Sequence, residues 1–182
     1  VCNFIEAYSY KNADAFIFPS KGAAKIYEQF PGFEKYALNK PMEFVYTGTR
    51  DVNVTANIDD YAELKKDEKT MFVYVGRHNY IKGYDLLVDA FQHIDISKSK
   101  FICAGAQSNI VPPNSKDWIE LGYIKNANSL MKAANCVVIP NRNTYFDLVI
   151  IEALSVGAII ITSAPGGNVD LAKDTEGVIL LE

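Results

Sequence analysis

Two cations flank a turn that follows a short apolar run in the middle of the chain. Arg77 and Lys82 lie five residues apart in the segment GRHNYIKG (76–83), which begins and ends with glycine. Gly76 allows a sharp turn, Arg77 offers a planar fork of donors, and Lys82 supplies a compact mobile charge. Beside a helix N-terminus this combination suits a diphosphate. The spacing fits a surface turn with two solvated charges equally well, and His78 is expected to be solvated.

A carboxylate with apolar neighbours is the second feature that could do chemistry. Glu152 shares a helix face with Leu148, Val149 and Val156, in a segment that is apolar nearly all round. A buried carboxylate is costly unless it finds hydrogen-bond donors, and ribose hydroxyls are suitable donors. An internal lysine, arginine or backbone amide would serve as its partner in a purely structural role.

The start of the same helix could receive an anion. Backbone amides near Phe146 and Leu148 lack helical partners there and are available to a phosphate. Thr144 or Asp147 could cap the helix. A carboxylate beside a phosphate is unfavourable, so capping is the role expected for Asp147.

Short apolar strands alternate with helices from residue 70 onward. The patterns predict strands at 71–75, 100–104, 118–121, 136–139, 158–162 and 177–181, and helices at 83–93, 126–134 and 147–156. This order indicates an α/β fold, a Rossmann-like parallel sheet with helices on both faces. Ligands of such sheets bind at the carboxyl ends of the strands. Earlier in the chain, strands are predicted at 14–20 and 43–46, a helix at 21–30, and a solvated helix in the charged run 63–69.

Composition excludes several classes of function. A net charge of -4 gives a nucleic-acid partner no support, and two histidines make a His-rich metal site improbable. Cys2, Cys103 and Cys136 match no zinc or redox spacing and are expected to be small buried hydrophobes in a reducing cytosol. No apolar run approaches the roughly 18 residues of a membrane span.

Three ordered segments resemble the C-terminal domain of the family-4 (group 1) retaining glycosyltransferases of the GT-B fold. They are VGRHNYIKGYDLLVDAF (75–91), ELGYIKNANSLMKAANCVVIPN (120–141) and FDLVIIEALSVGAIIITSAPGGN (146–168). The last is similar to the family's FGLV-x-x-EA segment with a following GG. Residues 1–50 resemble the end of the family's N-terminal acceptor domain and the crossover from it.

The resemblance assigns roles to individual residues. Arg77 and Lys82 would act in catalysis by holding the donor diphosphate, and Glu152 would bind the ribose. The remaining contacts with the donor fall on the loops around them: Gly76, Gly122, Tyr123, Ile124, Thr144, Phe146, Asp147, Leu148 and Val149. The backbone around Tyr123 would meet the base, and amides of the 146–149 segment would face the phosphate or the sugar. Neither a metal nor a cofactor is implied.

The sequence departs from the family pattern where the transferred sugar would lie. The first acid of the family's E-x7-E motif corresponds to Thr144, and the glycine that usually follows the Phe is Asp147. Asp147 or Asn143 could take over the sugar contact. Binding of the diphosphate and ribose is therefore better supported than the identity of the sugar.

The implied protein is a cytoplasmic hexosyltransferase that uses a nucleotide sugar, a UDP-sugar in the first place. Residues 1–50 would be a remnant of the acceptor domain and the crossover, 51–69 a connector, and 70–182 a nucleotide-sugar-binding domain truncated at its C-terminus. The acceptor would be a glycan, glycolipid or glycoprotein, with peripheral contact to the inner face of the membrane through the missing half. The alternatives are an inactive nucleotide-sugar-binding or partner-binding domain and a GT-B sugar-nucleotide epimerase. The isolated fragment is expected to bind nucleotide weakly and to catalyse nothing.

Overall fold

Two parallel sheets of unequal size organise the chain. The computed structural model describes residues 2–50, 55–163 and 165–181. The smaller sheet pairs β1 (Phe16–Phe18) with β2 (Met42–Phe44), and three helices accompany it, α1 (Cys2–Asn12), α2 (Lys21–Tyr27) and α3 (Pro31–Tyr36). Its core is small and aromatic, because Phe33 contacts the neighbouring rings edge-on or tilted: Tyr10, Phe16, Phe18 and Tyr27.

The larger sheet has six parallel strands in the order β5-β4-β3-β6-β7-β8. Its strands are β3 (Thr70–Val75), β4 (Ser99–Ala104), β5 (Trp118–Gly122), β6 (Cys136–Ile139), β7 (Ile160–Ser163) and β8 (Val178–Leu181). Four helices connect them, α4 (Tyr84–Phe91), α5 (Ala127–Ala133), α6 (Leu148–Ser155) and α7 (Asn168–Asp174). The Rossmann-like parallel sheet predicted from the sequence is confirmed.

Alternation along the strands builds one core on each face of this sheet. Val73 and Ile102 pack with Leu130 and Ile150 on the face covered by α5 and α6. The neighbouring strand positions point the other way, and their larger side chains pack against α4: Tyr74, Phe101, Cys103 and Trp118. Burial on both faces explains why these strands are continuous apolar runs in the sequence.

The start of β7 and several helices differ from expectation. β7 starts at Ile160 rather than 158, because Gly157 adopts a left-handed conformation and the Ala158 amide still caps α6 by donating to the Ala153 carbonyl. The helix expected in the charged run 63–69 is a 3₁₀ helix that lies earlier, at Ile58–Lys65. α1, α3 and α7 were not predicted. Part of the predicted connector, residues 51–54, lies outside the described ranges.

The cysteines and the helix lengths can be compared with the predictions from the sequence. Cys103 and Cys136 are buried and unpaired, as expected, whereas the Cys2 side chain lies outside what the structure describes. Among the helices of the described ranges, none has both the length and the apolar character that crossing a bilayer requires.

Candidate functional site

A cleft of about 350 Å³ opens at the carboxyl ends of β3, β4 and β5. It is lined by the loops after these strands: Val75, Gly76, Arg77, Ala104, Gly105, Ala106, Tyr123, Ile124 and Ala127. Four residues singled out from the sequence meet here, although Gly76 and Arg77 are far from Tyr123 and Ile124 along the chain. The Tyr123 ring is 83% exposed and offers an open aromatic face.

Backbone contacts hold the three loops of this cleft close together. The Gly76 amide donates to the Ala104 carbonyl, and the Gly105 amide donates to the Gly122 carbonyl, both at 2.9 Å. A Cβ on Gly105 would lie 1.8 Å from the Gly76 carbonyl oxygen, so only glycine fits. Sequence analysis missed Gly105; its position directly after a predicted strand was the available signal.

Arg77 is the free cation of this cleft. Its side chain is exposed, and the guanidinium makes no hydrogen bond or ion pair with any residue that the structure describes. Its backbone is fixed nonetheless, because the Tyr74 hydroxyl donates to the Arg77 carbonyl at 2.7 Å. The result is an exposed positive charge on an anchored backbone, which is suited to an anionic ligand.

Lys82, by contrast, already has a counter-ion. Its ammonium lies 2.9 Å from Asp147 Oδ2, which also accepts a hydrogen bond from the Asn141 side-chain amide. Asp147 Oδ1 accepts from the Val149 amide at 3.2 Å, so Asp147 is the N-cap of α6. The capping role expected for Asp147 is confirmed. With three donors and only 5% exposure, this carboxylate is committed to positioning Lys82 and α6.

Arg142 ties the loop after β3 to the loop after β6. Its guanidinium binds both carboxylate oxygens of Asp85, at 2.5 and 2.6 Å, and lies 3.8 Å from the centre of the Tyr80 ring. These hydrogen bonds hold the pKa of the Asp85 carboxyl below its usual value. Nothing in the sequence distinguished Arg142 from other loop cations, because its partners come from a different loop.

Two further glycines close the site behind the start of α6. The Gly167 amide donates to the Tyr145 carbonyl at 2.9 Å, and a Cβ on Gly166 would lie 2.1 Å from the Thr144 carbonyl oxygen. Phe146, which is half-buried, packs against the Gly167 backbone. The exposed Leu148 begins α6 on the open side. The segment 144–149 is thus held by α6 on one side and by the loop after β7 on the other.

His78 is not the solvated loop residue that was expected. It is 2% exposed, and its ring stacks on Tyr84 with the ring centres 4.1 Å apart. Its Nδ1 lies 3.4 Å from Glu120 Oε2, while the Trp118 indole donates to the other oxygen of Glu120. Burial lowers the pKa of His78, and the Glu120 charge opposes this. The prediction failed because Tyr84 and Glu120 form a pocket for the imidazole.

Glu152 is half-buried near the middle of α6. Within the described ranges its carboxylate makes no hydrogen bond and no ion pair, so the internal lysine, arginine or amide partner considered from the sequence is not found there. Burial raises the pKa of the Glu152 carboxyl above its usual value, with a further contribution from the Asp147 charge. An acceptor group of this kind is available to the hydroxyls of a ligand.

Replacing Glu152 with glutamine should therefore stabilise the ligand-free chain at neutral pH. A carboxyl whose pKa is raised by folding contributes stability that is full at acid pH and lost as the pH rises through the folded-state pKa. Glu152→Gln should raise Tm at about pH 7 and leave it unchanged at about pH 4, as measured by thermal unfolding over that range. The exposed Glu176→Gln is the control. A lower Tm for Glu152→Gln at neutral pH would mean that the carboxylate has a partner.

The described residues were searched for side chains that could bind a metal ion together. Among residues 2–50, 55–163 and 165–181, no three histidine, cysteine, aspartate or glutamate side chains are placed to hold an ion. At the cleft itself, the positive charge that could face an anionic ligand is that of Arg77.

Known proteins share the fold described above. An uncharacterized glycosyltransferase of Methanocaldococcus jannaschii is 27% identical over 125 residues, which cover 59% of this chain and 30% of that protein. The solved sucrose-phosphate synthase of Thermosynechococcus elongatus superposes with a TM-score of 0.79 at 21% identity, over 98% of this chain and 48% of that one.

A second similar structure is HepE of Anabaena, determined in complex with UDP and glucose. It superposes with a TM-score of 0.74 at 16% identity. The superposed region covers 93% of this chain and 50% of the HepE chain. The chain thus spans about half the length of these solved proteins. The sequence profile of the group 1 glycosyl transferases matches residues 69–182, which is more than half of the chain. The fold, the ordered motifs and this match together place the chain in the group 1 glycosyltransferase family.

Proposed function

We propose that this chain binds the donor of a glycosyltransferase, a UDP-sugar, through the cleft at Arg77 and Tyr123. The observation that carries the proposal is the Arg77 guanidinium, which has no partner among the described residues, in the same cleft as the exposed Tyr123. A ring of this kind can stack on a base, and a guanidinium can bind a diphosphate through two parallel hydrogen bonds. A structural relative that holds UDP and glucose supports the choice of nucleotide.

Sugar transfer then depends on stabilising the charge of the departing nucleoside diphosphate. Arg77 and Lys82 would neutralise that charge as the glycosidic bond breaks, which is the largest catalytic contribution in such reactions. Lys82 would shift from Asp147 towards the diphosphate or bridge the two, while Glu152 accepts hydrogen bonds from the ribose. The whole protein would transfer a hexose with retained configuration to a glycan, glycolipid or glycoprotein. Residues 1–50 would belong to its acceptor domain, and its place would be the cytoplasm, at the inner face of the membrane.

A nucleotide panel tests the donor assignment on the chain itself. We expect UDP and UDP-sugars to raise Tm, because a ligand that binds only the folded state stabilises it by mass action, by about 2.7 kcal/mol at a hundredfold excess over Kd. GDP, ADP and their sugars should give smaller shifts at equal concentrations. Arg77→Ala should reduce the UDP response strongly at equal ligand concentration, whereas Lys98→Ala, at an exposed lysine outside the cleft, should keep it in full. The absence of a response to every nucleotide would contradict the proposal.

An inactive nucleotide-sugar-binding domain is the second candidate function. Thr144 favours it, because a threonine stands where the family pattern has an acid near the donor sugar. Sugar transfer to any acceptor by the full-length protein would rule this candidate out. Tight UDP-sugar binding by a full-length protein that neither hydrolyses nor transfers the sugar would support it.

A further inference from the structure

Three lysines line a second cleft, between the N-terminal helices and the loop after β7. Lys21 and Lys25 of α2 face Lys173 of α7 across a space of about 370 Å³. An adjoining space of about 230 Å³ shares Lys21 and Lys173 and is closed on its other side by Phe44 and Tyr46. The two spaces are adjacent, because Lys21, Asp170 and Lys173 line both, and we call them together the lysine cleft.

Positive charge dominates the lysine cleft. Its charged lining consists of the three lysines and Asp170, in a chain whose net charge is -4. None of the three ammonium groups forms an ion pair or a hydrogen bond with a described residue, and Asp170 is occupied because its Oδ2 accepts the Gly22 amide at 2.7 Å. Lys21 and Lys25 are one helical turn apart, which is an unfavourable arrangement for like charges in the absence of an anion.

The walls of this cleft are fixed to each other. A Cβ on Gly22 would lie 2.2 Å from the Gly166 carbonyl oxygen, so the two backbones meet where only glycine fits. The rings of Tyr27 and Tyr145 stack with their centres 4.8 Å apart. The lysines are therefore presented on a preorganised frame, which lowers the entropic cost of binding a ligand between them.

Position connects the lysine cleft to the proposed donor site. Gly166, in its wall, packs on the Thr144 carbonyl, and the Tyr46 ring lies 6.2 Å from the Phe146 ring. Thr144 and Phe146 belong to the segment predicted to face the transferred sugar. A molecule anchored in the cleft would thus have its remaining atoms beside that segment.

We propose that the lysine cleft binds a phosphate group carried by the acceptor. Three ammonium groups match the two negative charges and three oxygens of a phosphate monoester. The term acceptor rests on the proposed glycosyl transfer, whereas the phosphate site itself does not. A soluble sugar phosphate and the headgroup of phosphatidic acid both present a phosphate monoester, and the experiment separates them.

Inorganic phosphate is the first probe, titrated at constant ionic strength and followed by amide chemical shifts of the 182-residue chain. Saturable shifts are expected at Gly22, Gly166 and Val169, with and without UDP. The variant Lys21→Gln/Lys25→Gln/Lys173→Gln should weaken binding at least about tenfold, because it removes three charged donors. The control Lys66→Gln/Lys98→Gln/Lys116→Gln removes three exposed lysines elsewhere and should leave binding unchanged.

The two sources of phosphate are compared next. Glucose 6-phosphate against glucose tests the soluble form, and vesicles of phosphatidic acid in phosphatidylcholine against phosphatidylcholine alone test the lipid. Binding of either phosphate carrier that is lost in the Lys21/Lys25/Lys173 variant supports the site and names its source. Equal phosphate binding by this variant and the control, or shifts confined to Gly76 and Arg77, would overturn the inference. If phosphate shifts the Gly22 and Gly166 amides but UDP causes no response, the lysine cleft stands and the proposed UDP-sugar donor is refuted.

Discussion

Replacing Lys82 with alanine is expected to lower the free energy of unfolding by about 2–3 kcal/mol, whereas Arg77→Ala should leave it nearly unchanged. Lys82→Ala leaves Asp147, which is 5% exposed, without its cationic partner. Arg77 has no partner among the described residues that its removal could orphan. Urea unfolding can follow both variants through the fluorescence of Trp118, the only tryptophan of the chain.

Both variants should weaken UDP binding by about tenfold to a hundredfold, because each removes a charged donor to the diphosphate. In the full-length enzyme, each should slow transfer by on the order of 10²-fold. Adding Asp147→Asn to Lys82→Ala should recover part of the lost stability and none of the lost binding, since it removes the unpaired charge. Equal stability of the two single variants would show that the Lys82–Asp147 pair contributes nothing to folding. Near-normal transfer by both would contradict their catalytic assignment.

Gly83→Ala should be among the most destabilising single substitutions in the chain. Gly83 adopts φ +66, and a Cβ there would lie 1.8 Å from the Pro140 carbonyl oxygen. Gly157 is the matched control, because it adopts φ +76 but a Cβ there meets nothing within 4 Å. Gly157→Ala should cost about 1–2 kcal/mol, the ordinary penalty of a left-handed alanine.

Gly83→Ala should cost at least about 2 kcal/mol more than the control, because the loops after β3 and β6 must separate. It should also weaken UDP binding, since Lys82 is the adjacent residue. Paired urea unfolding curves and UDP titrations of the two variants give the comparison. Equal stability losses would show that the approach of Gly83 to Pro140 can relax without cost.

Strands were the easiest part of this fold to predict, and helices near the N-terminus were the hardest. β3 and β4 are buried on both faces, so each contains an unbroken apolar run, at 71–75 in β3 and at 101–104 in β4. α1, by contrast, leaves Phe4, Ile5 and Tyr8 exposed, and its apolar residues are spread round the helix instead of forming one buried stripe. α7 has only seven residues and no side-chain cap, which leaves little local signal.

In the candidate site, too, local patterns predicted some residues, whereas others depend on contacts between distant elements. Arg77, Tyr123 and Ile124 were found because each follows a strand end in an ordered set of motifs, and the strand order brings the strand ends together. His78 and Arg142 depend on partners from other elements, Tyr84 with Glu120 in the first case and Asp85 in the second. No local pattern distinguishes a loop histidine that will stack on a tyrosine from one that will remain in water.

The two ties between the loops after β3 and β6 also have a kinetic consequence. Arg142 contacts Tyr80 in the loop after β3 and Asp85 at the start of α4, and Lys82 pairs with Asp147, so both connections join the loop after β6 to the segment 80–85. The two loops can separate only when both connections break, because either connection alone still holds the loops together. Ligand association and dissociation would then depend on the same opening of the two loops and on its rate. Weakening either the Arg142 or the Lys82 contact would increase both rate constants.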